Sequence, residues 1–263
     1  MSAVAFATFW HGDLNPTIRA CLATFPAKGA KLTLYAYDEI DPPQGVALAD
    51  ARDIVPDVSL LSRYLVGGKP SLATFSDRFR YDMIRATGLC WVDADMICLR
   101  PLEAWDEEPV WGQQPEAFGK ALINNAVLRL PANSPVLDEM IRLSQEAVDR
   151  DLSWGAIGPF LLTEIAEKHG VYATAKPPSA FYPVGPDEFW QMLLPHERAH
   201  VAEAVRGADF LHLWSELFRR AGYDFRRAPP PGSYLAERLG PDGFAAAYSP
   251  DEVEALLRSG RQS

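Results

Sequence analysis

The spacing of apolar positions changes along the chain, and each change marks an element. Val4 to Trp10 is short and continuously apolar, the pattern of a buried strand. Asn15-Pro16 supplies an N-cap and a first-turn proline for a helix running to about Phe25. Lys31 to Tyr37 alternates and predicts a second strand. Strand, helix and strand within ~35 residues open an α/β fold. Residues 41–68 carry Pro42, Pro43, Pro56 and Gly67-Gly68, which predicts loops with a short strand near Ile54. Leu72, Phe75, Phe79 and Met83 then recur at helical spacing, and Gly88 stops a helix over Ser71 to Thr87. Leu89 to Val92 is an apolar strand ending at Asp93. Further strands are expected at Val110 to Gly112, Ala126 to Leu130 and Asp209 to Leu213. Helices are expected at Asn133 to Arg150, Pro159 to His169 and Pro195 to Val205, with two short ones after the break at Pro229-Pro230-Pro231, the last near Asp251 to Arg258.

This is the pattern of one α/β domain, and a chain of 263 residues is long enough for its core. The formal net charge of −10 changes the picture, because an acidic surface repels phosphate backbones and argues against a nucleic-acid partner. A diphosphate remains bindable where a metal or local arginines neutralise it. The three cysteines, Cys21, Cys90 and Cys98, are odd in number and form no C-x-x-C, which reads as reduced thiols in a cytoplasmic protein. The first ten residues lack the basic region of a signal peptide, and no stretch approaches the ~20 apolar residues of a membrane helix. Membrane contact is therefore expected to be at most peripheral, at the inner face.

The candidate chemistry centres on Asp93-Ala94-Asp95. Two carboxylates at the carboxyl end of a central strand fall in the crevice where open α/β sheets bind ligands. Adjacent charges there are unfavourable unless a cation compensates, and hard carboxylate oxygens select Mg²⁺ or Mn²⁺ over zinc. On that view, removing Asp95 relieves repulsion and leaves the fold intact. A second Asp-x-Asp, Asp149-Arg150-Asp151, lies at the polar end of a predicted helix and reads as a solvated face. In the helix before the strand, Asp77 and Arg80 lie three residues apart on one face and are aimed at the same crevice.

Ser76-Asp77-Arg78-Phe79-Arg80-Tyr81 followed by Gly88-Leu89-Cys90-Trp91-Val92-Asp93-Ala94-Asp95 resembles the block that defines DXD-containing glycosyltransferases, a group similar to glycosyltransferase family 32. The group includes initiating mannosyltransferases, α-1,4-glycosyltransferases, bacterial capsule and lipopolysaccharide transferases, and the clostridial toxin glucosyltransferase domain. Phe9-Trp10-His11-Gly12, Ile123-Asn124-Asn125-Ala126-Val127, Gly158-Pro159 and His212-Leu213-Trp214-Ser215 resemble further motifs of these enzymes.

The resemblance implies a GT-A fold with a Rossmann-like central mixed sheet flanked by helices. It implies a single domain over 1–263, with nucleotide-sugar binding in about 1–130 and acceptor-side and closing segments in about 131–263. It implies a UDP- or GDP-sugar donor, Mn²⁺ or Mg²⁺, retention of configuration, and a glycan or lipid-linked acceptor, as in bacterial polysaccharide synthesis. By residue, it implies that Trp10 stacks the base. Ser76, Asp77, Arg80, Asn124 and Asn125 surround the donor sugar, with Arg80 and Asn125 near the reacting centre. Asp93, Asp95 and His212 approach the metal, with Asp95 as direct ligand, and Trp214 belongs to the closing motif. Leu89 and Trp91 depart from the usual Gly and Tyr, and are expected to be packing changes that leave the ligands untouched.

Two other readings compete. His196-Glu197-Arg198-Ala199-His200 matches the H-E-x-x-H of zinc hydrolases. Pro195 places that motif in a first helical turn, Arg198 separates the ligands, and position 206 is Arg206 where an extended motif has a third histidine. A catalytically inactive sugar-nucleotide-binding protein is the other.

Overall fold

A computed structural model describes residues 4–102, 108–116, 119 and 121–260. The chain begins β1 (Ala5–Trp10), α1 (Pro16–Ala27), β2 (Lys31–Ala36), β3 (Val46–Asp50). Asn15 caps α1 by accepting the Ile18 amide at 3.0 Å. Two short pairing strands, β4 (Leu65–Val66) and β5 (Lys69–Pro70), precede α2 (Leu72–Thr87), β6 (Cys90–Val92) and β7 (Met96–Cys98). Then come β8 (Val110–Gln113), β9 (Ile123–Arg129), α3 (Pro135–Glu146), β10 (Asp151–Leu152), α4 (Pro159–Lys168) and α5 (Pro178–Phe181). The chain continues through α6 (Arg198–Ala204), β11 (Phe210–His212), α7 (Ser215–Arg220), α8 (Tyr234–Leu239) and α9 (Pro250–Gly260).

The main sheet has the order β3-β2-β1-β6-β9-β8. β1 pairs in parallel with β2 and β6, whereas β9 runs antiparallel to β6 and β8. This is the expected mixed α/β sheet, with cores on both faces. Phe6, Cys90 and Val92 face α1 and the C-terminal elements, while Ala7, Phe9 and Trp91 face α2, α3 and α4. That alternation is why β1 and β6 read as continuously apolar.

α2 is built as its pattern requires. Ser71 caps it, its hydroxyl accepting the Thr74 amide at 3.3 Å. Gly88 closes it at φ 67°, a left-handed conformation that suits glycine. Phe75, Phe79 and Met83 are fully buried. Phe79 packs on Phe9 at 4.7 Å between ring centroids, on Tyr35 at 5.8 Å and on Trp91 at 6.3 Å, so this one ring ties α2 to three strands.

The structure corrects several boundaries. The strand expected near Ile54 lies earlier, at Val46–Asp50, and residues 51–53 form a 3-10 turn capped by Asp50. The helix expected to reach Arg150 stops at Glu146, and Asp149 has φ 61°, which ends helical winding. Residues 195–197 are a 3-10 turn before α6. The second Asp-x-Asp is exposed but employed. Asp149 takes Arg63 in a bidentate pair at 3.0 and 2.5 Å, and Asp151 accepts the Gly68 amide at 2.9 Å. These bonds fasten the chain where β10 pairs with β4.

Truncating a fully buried ring that joins four elements costs about 3–5 kcal/mol. Phe79→Ala should therefore lower the urea midpoint sharply with an unchanged m-value. A shift below about 1 kcal/mol would show that α2 is held to the sheet by other contacts.

Candidate active site

β6 ends at Val92, and the chain leaves the sheet without losing its register. The Asp93 amide still reaches the Ala126 carbonyl at 2.8 Å, and the Met96 amide turns back to the Asp93 carbonyl at 3.1 Å. The three residues of β7 then pair antiparallel with β11, His212 opposite Met96. This pairing brings a residue from late in the chain onto the acids. His212 Nε2 is 3.3 Å from an Asp95 carboxylate oxygen, and the Leu213 amide donates to the Asp95 carbonyl at 3.2 Å. The Ser215 amide, at the start of α7, donates to the Asp95 carboxylate at 2.9 Å.

Asp93 has different partners. Arg80 lies 3.2 Å away, and the indole N–H of Trp91 donates to it at 2.6 Å. The Arg80 guanidinium also sits over the Trp91 ring, 4.9 Å from its centroid. Trp91, expected to be a packing change, does more than pack, because this indole holds a candidate ligand.

Arg80 is enclosed rather than exposed to the crevice. Its side chain is only 4% exposed, and it meets Asp77 at 3.0 Å, the Asn125 carbonyl at 2.7 Å and the Ser76 carbonyl at 3.3 Å. The Asn125 side-chain amide donates to Asp77 at 2.8 Å and to the Tyr81 hydroxyl at 3.2 Å. Asn124 is fixed separately, donating to Gln114 at 2.8 Å and accepting the Ala126 amide. Gly158 completes this wall: a Cβ built there would lie 2.7 Å from an Asp77 oxygen, so glycine is required by close approach.

The remaining expected residues fall around this group. Trp10 is half-buried at the end of β1, its indole bonded to the Asp13 carbonyl at 3.2 Å. Beside it, His11 Nδ1 is 2.7 Å from Asp38 at the end of β2. Ser76 enters through its carbonyl, the bond to Arg80. Trp214 is buried, packs tilted against His212 with ring centroids 4.1 Å apart, and donates to the Val184 carbonyl at 2.9 Å. Gln114, Tyr81 and Ser215 also belong to the site. Ser215 lay within the quoted H-x-W-S run; Gln114 carried no sequence signal, and Tyr81, though inside the quoted block, carried none of its own.

Electrostatics divide the acids. Burial raises Asp77 to about 6, against the lowering effects of Arg80 and the Asn125 hydrogen bond. Burial also raises Asp95, but His212 and the amide and hydroxyl of Ser215 outweigh it and bring Asp95 to about 2. Burial disfavours the Arg80 charge, but Asp93 and Asp77 more than offset this and hold it charged. The acids therefore do not face each other uncompensated. Asp95 is held ionised by protein donors, so its removal takes away a compensated charge rather than an isolated one.

One atom of each of Asp93, Asp95 and His212 lies within 4.8 Å of the others, the group among the described residues able to hold a metal. His212 Nδ1 is buried without a hydrogen-bond partner. Two carboxylates and one imidazole, whose Nδ1 lacks a partner, fit a divalent cation. His196 and His200 do not form such a group; both are exposed, on the 3-10 turn and on α6.

No family model and no curated protein matches the chain. Among solved structures, the chain is similar to the PaToxG glycosyltransferase at 13% identity and TM-score 0.46, covering 64% of this chain and 69% of that one. It is similar to the galactosyltransferase LgtC, solved with donor and acceptor sugar analogs, at 8% identity and TM-score 0.47 over 97% and 100% of the two chains. It is also similar to the glycosyltransferase GlyE of Streptococcus pneumoniae, at 13% identity and TM-score 0.44 over 99% and 64%.

The raised Asp77 carboxyl gives a signed prediction. Its folded value, about 6, exceeds the ordinary 3.8, so ionisation of this group opposes folding as pH rises through that window, and the penalty is complete above it. Relative to wild type, Asp77→Asn should therefore gain about 2–3 kcal/mol between pH 4 and pH 7. Chemical denaturation at both pH values reads the difference, and parallel pH profiles would contradict the assigned burial.

Proposed function

We propose that this chain is a metal-dependent, retaining glycosyltransferase of the GT-A type. It transfers a sugar from a nucleoside-diphosphate sugar to a hydroxyl of a glycan or glycolipid. The observation that carries the reading is the convergence of Asp93, Asp95 and His212 beside the Asp77-Arg80-Asn125 network at the carboxyl end of β6. Ligands bind at that edge of open α/β sheets.

The residues divide by task. Trp10 offers its ring to the base. Asp77 and the Asn124-Asn125 strand line the donor-sugar side. Arg80 has its donors engaged by protein acceptors, so its part is positioning: it holds Asp77, Asp93 and β9 in fixed relation. Asp93, Asp95 and His212 would hold a Mg²⁺ or Mn²⁺ ion, which supplies charge neutralisation to a diphosphate leaving group. Trp214 and Ser215 keep His212 and Asp95 in place.

Asp77, Asp93 and Asp95 are each engaged by protein donors, so none stands free as a covalent nucleophile. That supports a front-face reaction in which the departing phosphate oxygen takes the proton of the acceptor hydroxyl. The free, buried thiols of Cys21, Cys90 and Cys98 fit work on the cytoplasmic side. No helix among the described residues is long and apolar enough to cross a membrane.

A thermal-shift screen of UDP- and GDP-sugars with and without Mn²⁺ tests the reading. A donor at a hundred times its Kd stabilises by about 2.7 kcal/mol. Asp95→Asn should melt below wild type, lose the Mn²⁺-dependent part of the shift, and fall roughly 10³-fold or more in turnover. Near-normal transfer by that variant would end the metal assignment.

Aromatic stacking of a base contributes ~1–3 kcal/mol, so Trp10→Ala should raise the nucleotide Kd roughly tenfold or more. Unchanged affinity in a folded Trp10→Ala protein would make Trp10 a packing residue only. Product NMR decides retention, and an inverted anomer would exclude the front-face route.

A further inference from the structure

Two aromatic side chains stand out from the surface beside the site, Trp154 at 42% exposure and Phe160 at 40%. Single exposed apolar residues are ordinary. What separates Trp154 from that background is the way it is held.

Its backbone belongs to one wall. Trp154 is four residues from Gly158, the glycine packed on Asp77, so the two lie within ~14 Å along the chain. Its ring belongs to the opposite wall. The Arg220 guanidinium lies 5.8 Å from the indole centroid. Arg220 ends α7, the helix whose first amide holds Asp95, and five residues of helix rise only ~7.5 Å. Glu216, one turn earlier, accepts from Arg220 at 2.9 Å and fixes the guanidinium edge beside the indole. An exposed indole, a cation and a carboxylate thus meet where the donor-sugar wall and the metal-side helix come together.

We propose that Trp154, with Arg220 and Glu216 at its edge, is the acceptor subsite, on which a pyranose ring of the acceptor glycan stacks. This rests on the transferase reading. A pyranose carries an apolar C–H face for the indole and a rim of hydroxyls that both accept from Arg220 and donate to Glu216. A bare alkyl chain would touch the indole but offer no hydroxyl to the Arg219-Glu216-Arg220 ion pairs at its edge. A phosphate has no apolar face for the indole and is disfavoured by a chain of net charge −10. An indole is also the side chain that supplies most stacking area for little conformational entropy.

Saturation-transfer NMR with methyl β-galactopyranoside, methyl β-glucopyranoside and octyl β-glucopyranoside tests this without turnover. Wild type should pass saturation to the C–H protons of one ring face in at least one of them. Trp154→Ala should lose roughly fivefold of that signal and Trp154→Phe should keep part of it. Should Trp154→Ala fail to fold, Arg220→Met, at an exposed helical position, should weaken the same signal. Wild-type transfer in Trp154→Ala, no face-selective transfer from any pyranoside, or transfer to the octyl chain alone would overturn the proposal. The donor thermal shift with Mn²⁺ is read on the same samples. A retained shift with lost pyranoside contact places the loss on this subsite, whereas no donor shift in wild type refutes the transferase reading itself.

Discussion

The site depends on one buried cation. A guanidinium taken out of water must find acceptors for its N–H groups, and Arg80 finds them on three separate pieces of chain: Ser76 and Asp77 in α2, the Asn125 carbonyl in β9, and Asp93 just beyond β6. β6 is short, and the chain just beyond it stays bonded to β9. The Asp93 amide takes the carbonyl of Ala126, and Arg80 takes that of Asn125. Arg80 thus ties α2 to β9 and orders the acids at once. Breaking such a buried network by removing one partner costs on the order of 3–5 kcal/mol, because the remaining charges stay buried.

The same geometry explains how two neighbouring carboxylates coexist. They are separated by environment: Asp93 is served by Arg80 and Trp91, Asp95 by His212 and Ser215. Repulsion between them is therefore a weak argument for a metal. The stronger one is that a ligand atom of each of Asp93, Asp95 and His212 lies within 4.8 Å of the others, and that His212 Nδ1 is buried and unsatisfied. A buried polar atom without a partner carries a cost that a ligand can relieve.

Legibility in the sequence followed the range of the interaction. β1, α1, β2 and α2 were readable because periodicity, the Asn15 and Ser71 caps and the Gly88 stop are local signals. The acids at the end of β6 were placed by the same logic. β7 was invisible: three residues cannot show a period, and it exists through its pairing with β11, more than a hundred positions later. The burial of Arg80 was equally hidden, since an i, i+3 ion pair looks the same on paper whether it faces water or β9. Gln114 and the Trp91–Asp93 bond depend on tertiary approach that no spacing encodes.

Trp214 shows where the fold stores the cost of this arrangement. It has φ 56°, which for a large side chain is a strained conformation of order 1–3 kcal/mol. Three contacts over-determine it: the indole bond to Val184, the tilted ring contact with His212 and the packing on Tyr182. The sharp turn it makes lets β11 end at His212 and α7 begin at Ser215, so that the imidazole and the Ser215 amide both reach the carboxylate of Asp95. A relaxed backbone at 214 would send α7 elsewhere and separate those two groups. The strain therefore lies at Trp214, in the two-residue link between the groups that hold Asp95.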